Sequence, residues 1–100
     1  MATKKIGVTY KIPASRSIAK IGHYVAEKGY PESAANFISE LYKFGNSLII
    51  FPEKYPLCRK KPWARRHLRC AVFKKNYVFI YKLIKDKLVI FNIVHVLTVS

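Results

Sequence analysis

Positively charged side chains are concentrated in one segment of this sequence, residues 53–66. The segment has no helical or strand periodicity and contains Pro56 and Pro62, which predicts a loop. Arginine suits phosphate because its planar guanidinium can bind two oxygens at once. A tryptophan among such cations offers a surface on which a base can stack. The candidate nucleic-acid-binding or target-binding residues are Arg59, Lys60, Lys61, Trp63, Arg65 and Arg66.

The charge of the whole chain points the same way. Lysine and arginine number 19 against 5 acidic residues in 100, a net charge of +14. This excess costs self-repulsion in the folded state and favours a polyanionic partner: nucleic acid, an anionic membrane or an acidic protein. The plainer alternative is a basic surface that only keeps the protein in solution.

The composition predicts one folded domain over residues 1–100. A hydrophobic fraction of 51% and an aromatic fraction of 14% are typical of a chain that builds a core. The N-terminal residues lack the apolar run of a signal peptide. Charged residues interrupt every apolar stretch before it reaches the roughly 20 residues that a membrane helix needs. We therefore expect a cytoplasmic protein with no membrane association.

The two cysteines, Cys58 and Cys70, are expected to be reduced thiols in a cytoplasmic protein. Together with His67 and His95 they match no zinc-ligand spacing. With five acidic residues, the chain has few carboxylates to serve as ligands, which argues against a two-metal catalytic site. The sequence therefore predicts neither a metal site nor a cofactor.

The C-terminal third predicts three consecutive strands, over residues 67–73, 77–84 and 88–97. Valine, isoleucine, tyrosine and phenylalanine dominate these runs, as a half-buried pleated surface prefers. The breaks between them, Lys74-Lys75-Asn76 and Lys85-Asp86, have the length of hairpin turns. An antiparallel meander is expected.

Upstream, residues 6–12 alternate apolar and polar side chains, which predicts a strand that Pro13 ends. An apolar stripe over residues 14–28 predicts a helix that Ser15 or Ser17 caps.

A second helix is predicted to begin at Pro31 and to continue to Pro52, with a weak point at Gly45-Asn46. Since only Gly29-Tyr30 joins the two helices, they must form an antiparallel hairpin.

The predicted order is therefore β-α-α-β-β-β. Within it, the stretches most typical of a known family are residues 18–25, Ala34, Leu41, Phe51-Pro52, Leu68-Arg69, residues 76–81 and residues 93–95. In order and spacing, this chain resembles the RelE/ParE superfamily of bacterial toxins over nearly its whole length. These are the toxin halves of type II toxin–antitoxin systems.

The resemblance implies an α+β fold, with the helical hairpin packed on one side of a curved antiparallel sheet. Family members divide by target. RelE-like members bind the ribosomal A site and cut mRNA there, whereas ParE-like members poison DNA gyrase. The tight hairpin and the spacing from Tyr81 to His95 look closer to the ParE-like branch.

The function expected from the resemblance is a ParE-like plasmid-stabilisation toxin that arrests growth through gyrase. A cognate acidic, partly disordered antitoxin would neutralise it in a hetero-oligomer. Two alternatives stay open: a RelE-like ribosome-dependent mRNA endonuclease, and a decayed toxin that binds nucleic acid or a partner. Enzymatic activity is therefore undecided at this level.

Cleavage of RNA by its own 2′-hydroxyl needs a base, cations on the scissile phosphate and an acid for the leaving oxygen. The resemblance carries the RelE-like positions to Arg69 and then His95, and Tyr81 could stack on a base or donate a proton. Arg69 could equally be a solvated or ion-paired strand residue, and His95 a structural one. Many members end in arginine or another polar or aromatic group, whereas residues 96–100 read Val-Leu-Thr-Val-Ser here.

Turn length predicts which of these three candidates can meet. A three-residue loop at residues 74–76 places Arg69 opposite Tyr81, and a two-residue loop at Lys85-Asp86 places Tyr81 opposite Ile90. His95 then falls on the other face of the sheet, unless a β-bulge resets the alternation. A joint site of Arg69, Tyr81 and His95 is not expected from this register.

Overall fold

The computed structural model describes residues 7–29 and 31–98, in which two long helices pack against one face of a four-stranded sheet. The elements in chain order are β1 (Val8–Tyr10), α1 (Ile12–Lys28), α2 (Pro31–Ser47), α3 (Lys61–Ala64), β2 (Arg69–Phe73), β3 (Tyr77–Ile84), β4 (Lys87–His95) and a 3₁₀ turn (Val96–Thr98). The strand order across the sheet is β1-β4-β3-β2. The predicted α+β class is confirmed. Predictions for residues 1–6, Tyr30 and residues 99–100 lie outside the described residues.

The sheet is mixed. Strands β2, β3 and β4 form the predicted antiparallel meander. Strand β1 runs parallel to β4, with Val8 opposite Leu88, so the expectation of a wholly antiparallel sheet was wrong. Two parallel strands need a long connection between them, and the chain from α1 to β3 forms the connection between β1 and β4.

Both hairpin turns have the predicted lengths. Lys85 and Asp86 have φ values of 47° and 67°, and positive φ at both central residues is typical of the turn that best suits a two-residue hairpin. In the longer turn, the Asn76 amide donates to the Phe73 carbonyl at 3.3 Å. These turns fix the register of the meander.

The N-terminal boundary between strand and helix differs from its prediction. Helix α1 begins at Ile12, and Pro13 lies in its first turn instead of ending the strand. Proline is tolerated there because the first helical amides have no partner within the helix. The N-cap is Lys11, without a side-chain cap. Neither predicted serine caps the helix, and Ser17 instead donates to the Asn92 side-chain oxygen at 2.7 Å.

Helix α2 ends at Ser47, five residues before the predicted stop at Pro52. The Ser47 hydroxyl donates to the Phe44 carbonyl at 2.6 Å, and short-range turns carry the chain onward. Gly45 is a close approach between helix and sheet: an added Cβ would lie 3.0 Å from Ile90 and 3.1 Å from Phe79. The predicted weak point is therefore where α2 packs tightly.

Buried side chains form one layer on each face of the sheet. The larger layer lies under α1 and α2 and comprises Ala14, Ile18, Leu41, Leu48, Ala71, Phe73, Phe79, Tyr81, Leu88, Ile90 and Ile93. The smaller layer lies under the segment that contains α3 and comprises Cys58, Leu68, Val78 and Ile80, with Trp63, Cys70, Phe91, Val94 and Val96 packed beside them. The sheet is thus covered by the helices on one face and partly by the basic segment on the other.

Candidate functional site

Arg69 and Tyr81, two of the three candidate catalytic residues, lie directly opposite each other on β2 and β3. Tyr81 also lies opposite Ile90 on β4. Both pairings agree with the register predicted from turn length.

His95 lies on the same face as Tyr81, so the expectation of opposite faces was wrong. The register shifts between Ile80 and Tyr81, where Phe91 is left without a partner, and this β-bulge resets the alternation. His95 pairs with Tyr77, however, four residues along β3 from Tyr81. At ~3.3 Å per residue this is about 13 Å. The structure brings Arg69 and Tyr81 together and leaves His95 at the far end of the strand.

The Tyr81 side chain packs in the protein interior. It is fully buried, and its hydroxyl donates to the Pro52 carbonyl at 2.6 Å. Burial raises the pKa of Tyr81 to about 12, although the nearby Arg69 charge acts in the opposite direction. A buried ring has no free face for a base, so the structure does not favour the predicted stacking role.

Replacing this hydroxyl should change how stability depends on pH. The pKa of Tyr81 rises from 10.0 to about 12 on folding. The contribution of the neutral hydroxyl is therefore complete below pH 10 and is lost as the pH rises towards 12. We expect Tyr81→Phe to cost about 1 kcal/mol at pH 8 and to reduce the fall in stability between pH 9 and 11. Urea unfolding at both pH values measures this.

Tyr10 should also contribute to the loss of stability at high pH, because desolvation raises its pKa to about 12. The Tyr81→Phe variant should therefore keep part of the decrease in stability between pH 9 and 11. A slope identical to that of the unmodified protein would contradict the assigned role of Tyr81.

Arg69 lies in an open pocket of about 350 Å³. One of its guanidinium nitrogens donates to the Tyr55 carbonyl at 2.7 Å, which orients the side chain. The pocket lining combines three potential cations with a single acidic residue, and comprises Pro52, Glu53, Leu57, His67, Arg69, Lys82 and Leu83. This arrangement can bind an anion, and neither Tyr81 nor His95, the other two candidate catalytic residues, lines the pocket.

His95 lines a different pocket, of about 460 Å³, at the opposite end of the meander. Its exposed ring lies 6.0 Å from the Tyr77 ring, in an edge-on arrangement, and its Nδ1 accepts from the Leu97 amide at 3.2 Å. The other residues of this pocket are Lys20, Ile21, Tyr24, Asn76 and Tyr77. The catalytic assignment of Arg69, Tyr81 and His95 stays a prediction, and the three do not share one pocket.

Most of the basic segment lies in a loop whose two ends are held together. This loop comprises residues 58–70, and we call it the cationic loop. The Cys58 amide donates to the Leu68 carbonyl at 2.8 Å, and the Cys70 amide to the Pro56 carbonyl at 3.0 Å. This pairing brings the two cysteine Cα atoms to 5.1 Å, a separation that a disulfide spans, and the sulfurs are bonded. The expectation of reduced thiols was wrong.

Helix α3 is an addition to the predicted irregular loop, and it places Trp63 half-buried against the second layer. Lys60 lies over this ring, with its Nζ 5.5 Å from the centroid. Trp63 was expected to offer a surface on which a base can stack, but its ring packs against the second layer and anchors the cationic loop. The exposed loop cations are Arg59, Lys60, Lys61, Arg65 and Arg66.

Sequence reasoning missed a second group of cations, which lies beside the cationic loop on the sheet face away from α1 and α2. Lys82 donates from its Nζ to the Arg66 carbonyl at 3.0 Å. Arg66 and Lys11 both lie over the ring of Phe91, at 4.9 Å and 5.4 Å from its centroid. The alternation of side chains along β3 could have indicated Lys82. The contacts to Phe91 depend on the bulge, which no sequence signal revealed.

An exposed hydrophobic group, the apolar patch, comprises Ile50, Phe51, Leu57 and Leu83. Ile50 and Phe51 line one concavity, and Leu57 and Leu83 line a second. The two concavities are adjacent, because Pro52 and Glu53 line both of them. Lys54 lines the first concavity and Lys82 the second. An exposed apolar surface with a basic rim is typical of a protein-binding site.

Residues 7–29 and 31–98 contain neither a metal-ligand cluster nor a helix that could cross a bilayer. No group of three or more histidine, cysteine or acidic side chains in this part of the chain is placed to hold a metal ion. None of its helices has the length and apolar character needed to cross a bilayer.

A helical hairpin on a mixed four-stranded sheet, with a meander at its C-terminal end, defines a RelE/ParE-like toxin fold. The family described as the ParE toxin of type II toxin–antitoxin systems, parDE, matches residues 8–99, and the chain belongs to this family. No match was found among curated proteins. The chain is therefore the toxin of a type II toxin–antitoxin pair, and its family implies a cognate antitoxin.

Proposed function

We propose that this toxin arrests growth by poisoning DNA gyrase, that a cognate acidic antitoxin neutralises it, and that the pair acts in plasmid stabilisation in the cytoplasm. The observation that carries the proposal is the match to the ParE branch over residues 8–99. A toxin of this kind acts by binding, so it needs a specific surface and no catalytic constellation.

The geometry of the candidate catalytic residues supports binding over RNA cleavage. Arg69 and Tyr81 are about 13 Å along the sheet from His95 at ~3.3 Å per residue, and the Tyr81 hydroxyl is engaged with Pro52. General acid–base catalysis needs its groups within hydrogen-bond reach of the reacting atoms. The RelE-like nuclease is therefore the second candidate, and Arg69 would be its phosphate-binding residue.

We assign target contact to the exposed cations of the cationic loop. The disulfide and the flanking backbone hydrogen bonds close the loop, so fewer conformations are lost on binding. Its positive charges can speed encounter with a DNA-bound complex, because electrostatic steering raises association rates. The residues assigned are Arg59, Lys60, Lys61, Arg65 and Arg66, with Trp63 as their anchor.

We assign antitoxin binding to the apolar patch. Phe51 is 70% exposed and Ile50 67% exposed, and the concavities that share Pro52 and Glu53 connect them to Leu57 and Leu83, so the exposed apolar surface is contiguous, as at a partner-binding site. Lys54 and Lys82 at the rim favour acidic residues on that partner. An acidic amphipathic segment satisfies both requirements, and its binding should weaken as salt is raised.

The test is inducible expression of the toxin alone and together with its cognate antitoxin, to be sought as a small acidic protein encoded by a neighbouring reading frame. We expect growth arrest with induction of the DNA-damage response and cleaved DNA, and rescue by the acidic protein. Phe51→Asp should remain toxic but should lose most of the rescue, because it places a carboxylate where acidic residues dock. Tyr24→Asp, an exposed aromatic position on α1, is the matched control and should be rescued normally.

Other outcomes identify the alternatives. Codon-positioned mRNA cuts with rapid loss of translation, abolished by Arg69→Ala, would replace gyrase by the ribosome. Absence of arrest from a well-folded, expressed protein would favour the decayed toxin. Full rescue of Phe51→Asp would remove the apolar patch from the antitoxin interface.

A further inference from the structure

We propose that the sheet face opposite α1 and α2 binds the phosphate backbone of nucleic acid through Lys11, Arg66, Lys82 and Lys87. We call this set the outer-face cations. The site shares Lys82 with the rim of the apolar patch and Arg66 with the cationic loop, and the proposal holds whichever macromolecule the toxin inhibits.

Strand alternation places the outer-face cations on one side of the sheet. Val78 and Ile80 of β3 are buried in the layer under the cationic loop, so Lys82 projects from the same face. Ile84 follows Lys82 in this alternation, and Lys87 lies opposite Ile84 on β4. Lys82 and Lys87 therefore rise from neighbouring strands just beyond the part of the face that the cationic loop covers.

The other two outer-face cations, Lys11 and Arg66, come from outside β3 and β4. Lys11 follows β1, and Arg66 belongs to the cationic loop. Their charged groups lie over the ring of Phe91, at 5.4 Å and 4.9 Å from its centroid. The Lys82 ammonium donates to the Arg66 carbonyl at 3.0 Å, which joins β3 to this cluster. Three separate parts of the chain thus bring positive charge to the centre of one sheet face.

This cluster presents concentrated positive charge to solvent. Because Arg66 and Lys11 lie over the same ring, their charges lie within about one Debye length of each other, roughly 10 Å at 0.1 M salt. The cation–π contacts with Phe91 hold both charges at this short separation. A polyanion can therefore interact with both charges at once.

None of the outer-face cations is ion-paired with a carboxylate of residues 7–29 and 31–98, where the ion pairs are His23 with Glu27 on α1 and Lys74 with Glu40. Glu53 lines the same concavity as Lys82, and the exposed Asp86 lies next to Lys87 in the β3–β4 turn. These two carboxylates do not balance the four outer-face cations, so the face keeps a net positive charge that an external anion can neutralise.

The composition of the face favours nucleic acid over an acidic protein. The centre of a protein interface is depleted in charge and rich in apolar area, and in this molecule that description fits the apolar patch. Protein–nucleic acid interfaces are far more positively charged. The outer face presents four cations, two of which lie over the half-buried Phe91, and several phosphates of one backbone can contact such a group.

The test is the fluorescence anisotropy of labelled 20-mers of duplex DNA, single-stranded DNA and single-stranded RNA, titrated with the full-length toxin over a range of salt concentrations. The triple variant Lys11→Gln, Lys82→Gln, Lys87→Gln removes three charges from the outer face. The matched control Lys20→Gln, Lys28→Gln, Lys43→Gln removes three exposed charges from α1 and α2. Thermal unfolding of each variant checks its folding.

We expect the outer-face triple to weaken binding at least tenfold at 0.1 M salt and to lower the slope of log K against log salt by about 2–3, since each phosphate contact contributes about 0.7–0.9. The control should change affinity less than threefold. The preferred oligonucleotide distinguishes DNA from RNA as the source of the phosphates, and either result supports the site. Growth arrest by the triple variant would show that the gyrase proposal stands independently of this site.

Equal losses from both triples would overturn the proposal, because binding would then follow net charge alone. Stronger binding of polyglutamate than of any oligonucleotide would also overturn it and assign the face to an acidic protein. The double variant Lys11→Gln, Lys87→Gln keeps the bond from Lys82 to Arg66 and serves if the triple is destabilised. It should still lower the salt slope by about 1.4–1.8, and an unchanged slope would count against the site.

Discussion

Phe79→Ala should lower the free energy of unfolding by about 3–5 kcal/mol. The Phe79 ring is completely buried in the main layer, with the Phe44 ring 5.0 Å away and the Phe73 ring 6.1 Å away, centroid to centroid. The close approach of Gly45 brings α2 directly onto this ring. Truncation therefore leaves a cavity where helix and sheet are already in close contact, and neither can readily collapse into it.

Thermal and urea unfolding measure this effect, with Phe51→Ala as the matched control. Phe51 is 70% exposed, so the same chemical change should stay within about 0.5 kcal/mol. For a domain of this size each kcal/mol corresponds to about 4–8 °C in Tm, which separates the two variants clearly. Similar losses from both would show that the hydrophobic core is not organised around Phe79.

The second large effect concerns the disulfide. The double variant Cys58→Ser, Cys70→Ser should lose about 3 kcal/mol, because the bridge joins residues separated by 12 positions in the sequence and thereby restricts the unfolded chain. The chain has two cysteines, so a dithiol reductant acts on this bridge alone and should destabilise the unmodified protein by the same amount. Urea unfolding with and without reductant measures both.

The double serine variant is also the control for the reductant, to which it should be insensitive. The backbone hydrogen bonds from Cys58 and Cys70 should keep the loop base paired in the folded state. The expected loss is therefore in stability, with the far-ultraviolet spectrum retained. A stability unchanged by both the reductant and the double substitution would contradict a bridge between Cys58 and Cys70.

The register of the meander was predictable because turn length determines it. With turns of three and two residues, Arg69 must face Tyr81 and Ile84 must face Lys87, and both pairings are present. The helical hairpin followed from the two residues between Lys28 and Pro31, which leave the helices no other direction. Local chemistry was sufficient for these features.

Features that depend on contacts distant in sequence were not predictable. The bulge at Phe91 changes which side of the sheet His95 occupies, yet residues 88–91 are uniformly apolar, so no alternation of side chains marks its position. The parallel pairing of β1 depends on where the whole chain returns. The bridge was missed because the expectation was based on the cellular compartment, whereas the pairing of residues 56–58 with residues 68–70 brings the sulfurs together.

The closure of residues 58–70 at their base has a consequence for how this fold can diverge. Because Cys58 and Cys70 hold the ends of the segment, insertions or exchanges near Ala64 need not displace Arg69 from its place beside β3. As long as Trp63 and Leu68 keep their packing, the rest of the segment is free to vary. This arrangement allows the exposed residues of the cationic loop, and with them the specificity of a toxin, to change during evolution while the rest of the fold is retained.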